Sequence, residues 1–224
     1  AATHHTERSK IVVFVNGYHG GVLTFGGGDN PVNVPHKWVI CRYNDLADVS
    51  SAFDEHGADI AAILVEPMQG SGGCIAGTPP FLSGLRDLCD TYGSLLIFDE
   101  VMTSRFSTGG AQGLLGIRPD LTTLGKYLAG GLTFGAFGGR ADVMRHFDPA
   151  AGGLLGHAGT FNNNVLSMAA GVATLAEVLT EDVLRTTHER GDRLRVSMNQ
   201  TFEANGLAMH ASGVGSLMTV HGTV

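Results

Sequence analysis

The sequence of 224 residues predicts an α/β fold with a mostly parallel sheet held between helices. Three observations lead there. Residues 60–66 (IAAILVE) and 94–101 (SLLIFDEV) are apolar at consecutive positions and of strand length, as in strands covered on both faces. Between them lies a helix signal: Thr78 as cap, Pro79 in the first turn, then Phe81, Leu82, Leu85, Leu88, Cys89 and Tyr92 at helical spacing, with Gly93 as the stop. A strand, a helix and a second strand within about forty residues form a βαβ crossover, which makes the sheet parallel.

The remaining elements follow in chain order. Residues 10–15 (KIVVFV) read as a short buried strand that ends at Asn16-Gly17. Residues 164–179 carry Val165, Met168, Ala169, Val172, Leu175, Ala176 and Leu179 on one helical face. Residues 182–205 carry Val183, Leu184, Leu194, Met198 and Phe202, and Gly206 stops that helix. Gly213 to Val220 reads as one glycine-led strand. No internal repeat and no linker-like stretch interrupts the chain, so it reads as one domain.

Composition narrows the classes of function. Hydrophobic residues make up 43%, which excludes a disordered or fibrous chain. No apolar run approaches the ~20 residues of a membrane span. Asp and Glu number 21 against 14 Lys and Arg, and no basic cluster offsets the charge of −7, so a nucleic-acid partner is not expected. The 33 glycines cluster between apolar runs, where they suit tight turns and close approach to a ligand. Cys41, Cys74 and Cys89 form no CxxC pair and no metal spacing, so reduced thiols and a cytoplasmic location are the expectation. No signal peptide is visible.

In open α/β sheets ligands bind beyond the carboxyl ends of the strands. Glu66, Asp99 and Glu100 stand at such ends. A carboxylate emerging after Leu95-Leu96-Ile97-Phe98 needs a cationic partner, and a protonated heterocycle nitrogen would be one; a cap on the following turn is the other reading of Asp99. Lys126 lies between an apolar run and the glycines Gly130-Gly131. A lysine in a poorly hydrated pocket is an amine nucleophile, and a lysine at a strand end in solvent is the alternative. In Asn16-Gly17-Tyr18-His19-Gly20-Gly21 the Tyr18 ring can stack on a flat ligand or fill an ordinary turn. Gly159-Thr160-Phe161-Asn162-Asn163-Asn164 precedes a helix, as an anion site or a plain cap would.

In this order the motifs VEPMQGSGG, LLIFDEVMTSR, LTTLGKYLAGG, FGAFGG and AGTFNNN resemble consecutive signatures of the class III aminotransferases, enzymes that use pyridoxal 5'-phosphate (PLP). The resemblance covers the chain from Ala1 to Val224. GYHGGVLTF, DNPVNVP and FGAFGGRADVM are most similar to the branch acting on β-phenylalanine and other β-amino acids, with glutamate-1-semialdehyde aminomutases as near relatives. The resemblance implies the large domain of a fold-type I PLP transferase. It implies Lys126 as the Schiff-base lysine and proton shuttle, and Asp99 on the pyridine nitrogen. Tyr18 would stack on the ring and Met102 would lie against ring or substrate. Glu66 would support the ring hydroxyl side, and Thr160 would reach the phosphate of a partner subunit in a homodimer. His19 matches the same aromatic–His turn, with satisfaction of backbone groups as its other reading. Arg105 and Arg140 are candidates for a substrate carboxylate by charge.

The family's pattern is roughly twice as long. It places the phosphate loop just before the segment matching Ala1, and the substrate arm and most of a small domain outside this sequence. Residues 1–206 are therefore expected to be the large PLP-binding domain, with the N-terminal part absent, and residues 207–224 the start of the small domain. Lacking most phosphate donors, the chain by itself is expected to hold PLP weakly. The implied reaction moves an amino group from a β-amino acid to a 2-keto acid. An intramolecular aminomutase, or an inactive remnant, is the alternative. A nicotinamide site lacks support, since no GxGxxG opens a helix after the first strand.

Overall fold

A computed structural model describes residues 1–222. A short helix α1 (Ala2–Thr6) leads into β1 (Lys10–Phe14), and β2 (Lys37–Cys41) pairs with it in parallel after a long glycine-rich loop. Helix α2 (Leu46–His56), capped by Asp45, returns the chain to β3 (Ile60–Val65), which pairs with the other edge of β1. A small antiparallel pair, β4 (Met68–Gln69) and β5 (Ile75–Ala76), encloses the turn around Gly70 to Cys74. Helix α3 (Pro79–Tyr92) then crosses to β6 (Leu95–Asp99), parallel to β3. The expected caps hold: the Thr78 hydroxyl accepts from the Phe81 N–H, and Gly93 closes the helix with φ 64°.

Helix α4 (Gly110–Leu115) precedes β7 (Leu121–Gly125), again parallel, and β8 (Gly135–Gly139) closes the sheet as an antiparallel edge. The six-stranded order is β2-β1-β3-β6-β7-β8. The glycine-rich β8 has little strand propensity of its own. Its pairing demands glycine by close approach, because a β-carbon on Gly139 would lie 2.0 Å from the Asp120 carbonyl oxygen.

The main core sits on one face of the sheet. Phe14, Ile63, Val65, Leu96 and Phe98 from the strands meet Val49 and Phe53 of α2 and Phe81, Leu82 and Leu85 of α3. The opposite face carries a smaller cluster, with Ala62, Leu95 and Leu121 under Ala2 of α1 and Val143 of α5 (Ala141–Met144). The apolar helix expected over 164–179 is α6 (Val165–Ala173) continued by a wide turn over Thr174–Val178. Its apolar residues Val165, Leu166, Val172 and Leu175 lie on the surface. Helix α7 (Glu181–Ala204) follows, capped by Thr180.

The strand expected over Gly213–Val220 is instead a hairpin. β9 (Met209–Val214) and β10 (Leu217–Gly222) pair antiparallel across Gly215-Ser216, and Gly215 takes φ 56° there. A glycine-led two-residue turn is a hairpin signal, and it outweighs the continuous apolar pattern. No helix among the described residues is long and apolar enough to cross a membrane.

Candidate active site

β1, β3, β6 and β7 run in the same direction, so the segments leaving their carboxyl ends converge. The chain order also reverses between β1 and β3, the place where open α/β sheets open a crevice. A cavity of about 630 Å³ lies there, within the usual range for small-molecule sites. Tyr18 and His19 from the loop after β1, Glu66 from the end of β3, Asp99 and Met102 at and beyond the end of β6, and Lys126 just after β7 all line it. Six of the seven residues that the resemblance assigns to the cofactor therefore share one space, with Thr160 as the exception. Leu23, Leu64, Val101 and Phe134 add an apolar wall, and Ser71 a hydroxyl.

Asp99 is buried, and three donors hold it. The Nδ1 of His19 lies 2.7 Å from Oδ2, while the Thr123 hydroxyl and the Val101 N–H each donate to Oδ1 at 3.1 Å. An ionised carboxylate only accepts, so His19 Nδ1 carries the hydrogen. Burial pushes the Asp99 carboxyl up, but the His19 contact, joined by Val101 and Thr123, outweighs it and holds the group below its ordinary value. Asp99 therefore stays a carboxylate, and the His19 ring is bonded to it rather than to backbone groups. The neighbouring β7 is in register, Asp99 opposite Thr123, which brings Lys126 to the same rim.

Lys126 begins a tight turn over Lys126–Ala129 with φ 52°, the left-handed region that L side chains seldom occupy. Its side chain makes no ion pair among the described residues. Backbone strain of this kind concentrates at functional positions. Glu66 is also buried; Oε1 accepts from the Tyr18 N–H at 3.0 Å and Oε2 from the Gly70 N–H at 2.9 Å. Burial pushes the Glu66 carboxyl above its ordinary value, against the pull of those two N–H groups. Glu66 thus ties the turn bearing Tyr18 to the turn at Gly70. Tyr18 itself is 44% exposed at the mouth, its ring free to face an occupant.

Other expectations fall elsewhere. Glu100, the second carboxylate of its pair, points away from the cavity. It is fully buried and accepts from the Ala111 and Gln112 N–H groups and the Thr103 hydroxyl, so it caps α4. Successive residues at a strand end face opposite sides, which separates Asp99 from Glu100. Arg140 binds Asp120 and Asp142 on the far side of β7 and β8, and Arg105 stacks on Tyr127; neither lines the cavity. Thr160 is exposed and outside the cavity. The cap of α6 is Asn164, whose side chain accepts from the Leu166 and Ser167 N–H groups.

Comparison with known proteins gives a consistent result. The Aminotransferase class-III family profile matches residues 30–221. A β-phenylalanine transaminase of Variovorax paradoxus is 53% identical over 99% of this chain and 51% of its own length. A glutamate-1-semialdehyde 2,1-aminomutase of Nitratidesulfovibrio vulgaris is 43% identical over 96% of this chain and 53% of its own. The crystal structure of a β-phenylalanine aminotransferase from Variovorax paradoxus superposes with a TM-score of 0.96 at 52% identity, covering 99% of this chain and 51% of that one. A transaminase with PLP bound superposes at 0.88 and 31% identity, covering 98% and 55%. The chain spans about half the length of the curated relatives it matches.

Proposed function

The chain belongs to the class-III aminotransferases, and from that premise we propose that it carries the PLP site of an enzyme that transfers an amino group from a β-amino acid to a 2-keto acid. The observation that carries this reading is the convergence of one lysine, one carboxylate held ionised and one exposed aromatic ring on a single cavity at four strand ends. Those residues fit PLP: the cavity admits a flat ring, Asp99 supplies a fixed negative charge, and Lys126 supplies an amine. When bound, PLP supplies the electron sink that stabilises charge at the amine-bearing carbon.

The residues divide the work. The Lys126 amine holds the group and takes and returns the proton at the reacting carbon. The Asp99 carboxylate is the counter-charge for a protonated ring nitrogen, and His19 holds that carboxylate in place and in its ionised form. Tyr18 would cover the ring from the mouth, and Met102 and Val101 would lie against it. Glu66 acts through Tyr18 and Gly70, setting the rim rather than the chemistry. The apolar wall of Leu23, Leu64 and Phe134 suits an apolar donor such as an aromatic β-amino acid. Thr160 serves the phosphate in a second copy's site within a homodimer. Its exposure, beside Leu154 and Phe161 at 83% each, supports a surface covered by another subunit. Residues 207–224 open the small domain in this reading.

Borohydride reduction of the full-length protein after PLP addition, followed by peptide mass mapping, tests the site. The expected adduct is on Lys126 and absent from Lys126→Ala. An unmodified Lys126 in the wild type sinks the proposal. Supplying a β-amino acid with 2-oxoglutarate tests the reaction: a transaminase consumes the acceptor, whereas an aminomutase leaves it untouched.

A further inference from the structure

The left-handed turn at Lys126 needs something to hold it, since such a conformation persists only where its surroundings over-determine it. Part of the restraint is local. Leu128 and Ala129 are buried, and the Gly130 N–H donates to the Tyr127 carbonyl at 3.0 Å. The rest comes from the segment that leaves β6. The Tyr127 hydroxyl donates to Ser104 Oγ at 3.0 Å, and the Arg105 guanidinium carbon lies 4.5 Å from the centre of the Tyr127 ring.

That segment is itself tied to the Asp99 strand end. The Ser104 N–H donates to the Glu100 carbonyl at 2.9 Å, and the Thr103 hydroxyl to the Glu100 carboxylate. Arg105 makes no ion pair among the described residues, and its buried Nε has no hydrogen-bond partner there. The partner of its charge is the ring face, the geometry in which a guanidinium is attracted to an aromatic.

We propose that Arg105 and Tyr127 are positioning residues, whose stack, with Ser104, locks the turn at Lys126 and sets the Lys126 amine against the Asp99 carboxylate. The inference rests on the reading of the cavity given above. Neither residue touches the occupant; both act through the backbone of Lys126. The effect is felt in the chemical step, where a small displacement of the amine is costly, and little in binding of the donor.

The test uses the full-length protein with its cofactor. Arg105→Met keeps an unbranched apolar stem and removes the guanidinium that stacks on the ring, and Tyr127→Leu removes the ring. Each is expected to lower kcat about tenfold, as for a half-buried cation–π contact whose strength lies between its exposed and desolvated values, while KM for the donor stays within about twofold. The double variant is expected to be no worse than the poorer single, because both remove the same contact. Arg105→Lys, which keeps a cation over the ring, is expected to recover part of kcat. Visible circular dichroism of the bound cofactor is expected to weaken in Arg105→Met and return in Arg105→Lys. Unchanged kcat and dichroism in Arg105→Met would overturn the clamp. So would multiplicative losses in the double variant, or an Arg105→Lys protein as impaired as Arg105→Met. Failure to trap cofactor on Lys126 in the wild type marks instead the failure of the underlying site assignment.

Discussion

Replacing Glu100 with glutamine tests how far the site depends on a group that never reaches it. Glu100 is fully buried, with Oε2 accepting from the Ala111 N–H at 2.7 Å and the Thr103 hydroxyl at 2.9 Å, and Oε1 from the Gln112 N–H at 2.8 Å. Glutamine keeps the volume but turns an NH₂ group toward one of these donors. At least one charge-assisted bond is lost and one buried N–H is left facing a donor. The first change costs ~1.5–3 kcal/mol and the second ~1–3 kcal/mol, so the expected loss is about 3 kcal/mol once partial relaxation is allowed. The midpoint of denaturant unfolding measures it, read at unchanged slope. The same turn carries Ser104 and Arg105 to Tyr127, so cofactor retention is expected to fall with stability. A loss below about 1 kcal/mol at unchanged slope would refute the reasoning, because a cap with three donors, two of them buried, cannot be that cheap to break.

Two further outcomes are expected. The Asp99, Asp120 and Asp142 carboxyls all lie below their ordinary value, Asp142 at about 2 beside Arg140. A depressed folded pKa means the unfolded chain binds the proton more tightly, so the stabilisation is complete above the unfolded value of 3.8 and is lost as pH falls through the folded value. Melting temperature is expected to drop steeply below pH 4, and less steeply in Asp120→Asn; identical slopes in the two proteins would contradict this. Burial pushes the Cys41 thiol up to about 11 and the Cys89 thiol up to about 12, so a thiol reagent at pH 8 is expected to label neither until the protein is unfolded. Labelling of either in the folded protein at the unfolded rate would count against that burial.

What was legible in the sequence follows the reach of each signal. β3, α3 and β6 are written locally, in consecutive apolar residues, a Thr–Pro start and a glycine stop, and they appear where expected. β8 is not, because GAFGG becomes a strand only through its pairing with β7. The hairpin at Gly215-Ser216 had a local signal, the glycine-led turn, which the continuous apolar pattern around it concealed. Glu100 and Asp99 end the same run and carry the same local signal, and only the alternation of side chains along a strand separates a residue facing the cavity from one capping a helix.

The site shows the same division at the level of pairs. Asp99 and Lys126 were recognisable one at a time, each at the end of its run. Their meeting depends on the parallel register that sets Asp99 opposite Thr123, a fact of the sheet rather than of either segment. Charge alone left Arg105 a candidate for a substrate carboxylate. Its aromatic partner is the residue after Lys126, on a different strand end, so no spacing within either segment points to it. His19 is the same case in reverse: the turn that carries it was visible, but its use was decided by Asp99, which lies two strands away in the sheet. Glu66, Asp99 and Lys126, which line the cavity, sit at strand ends and can be read from local pattern. Residues that hold those in place reach across strands, and the order of the sheet is needed to find them.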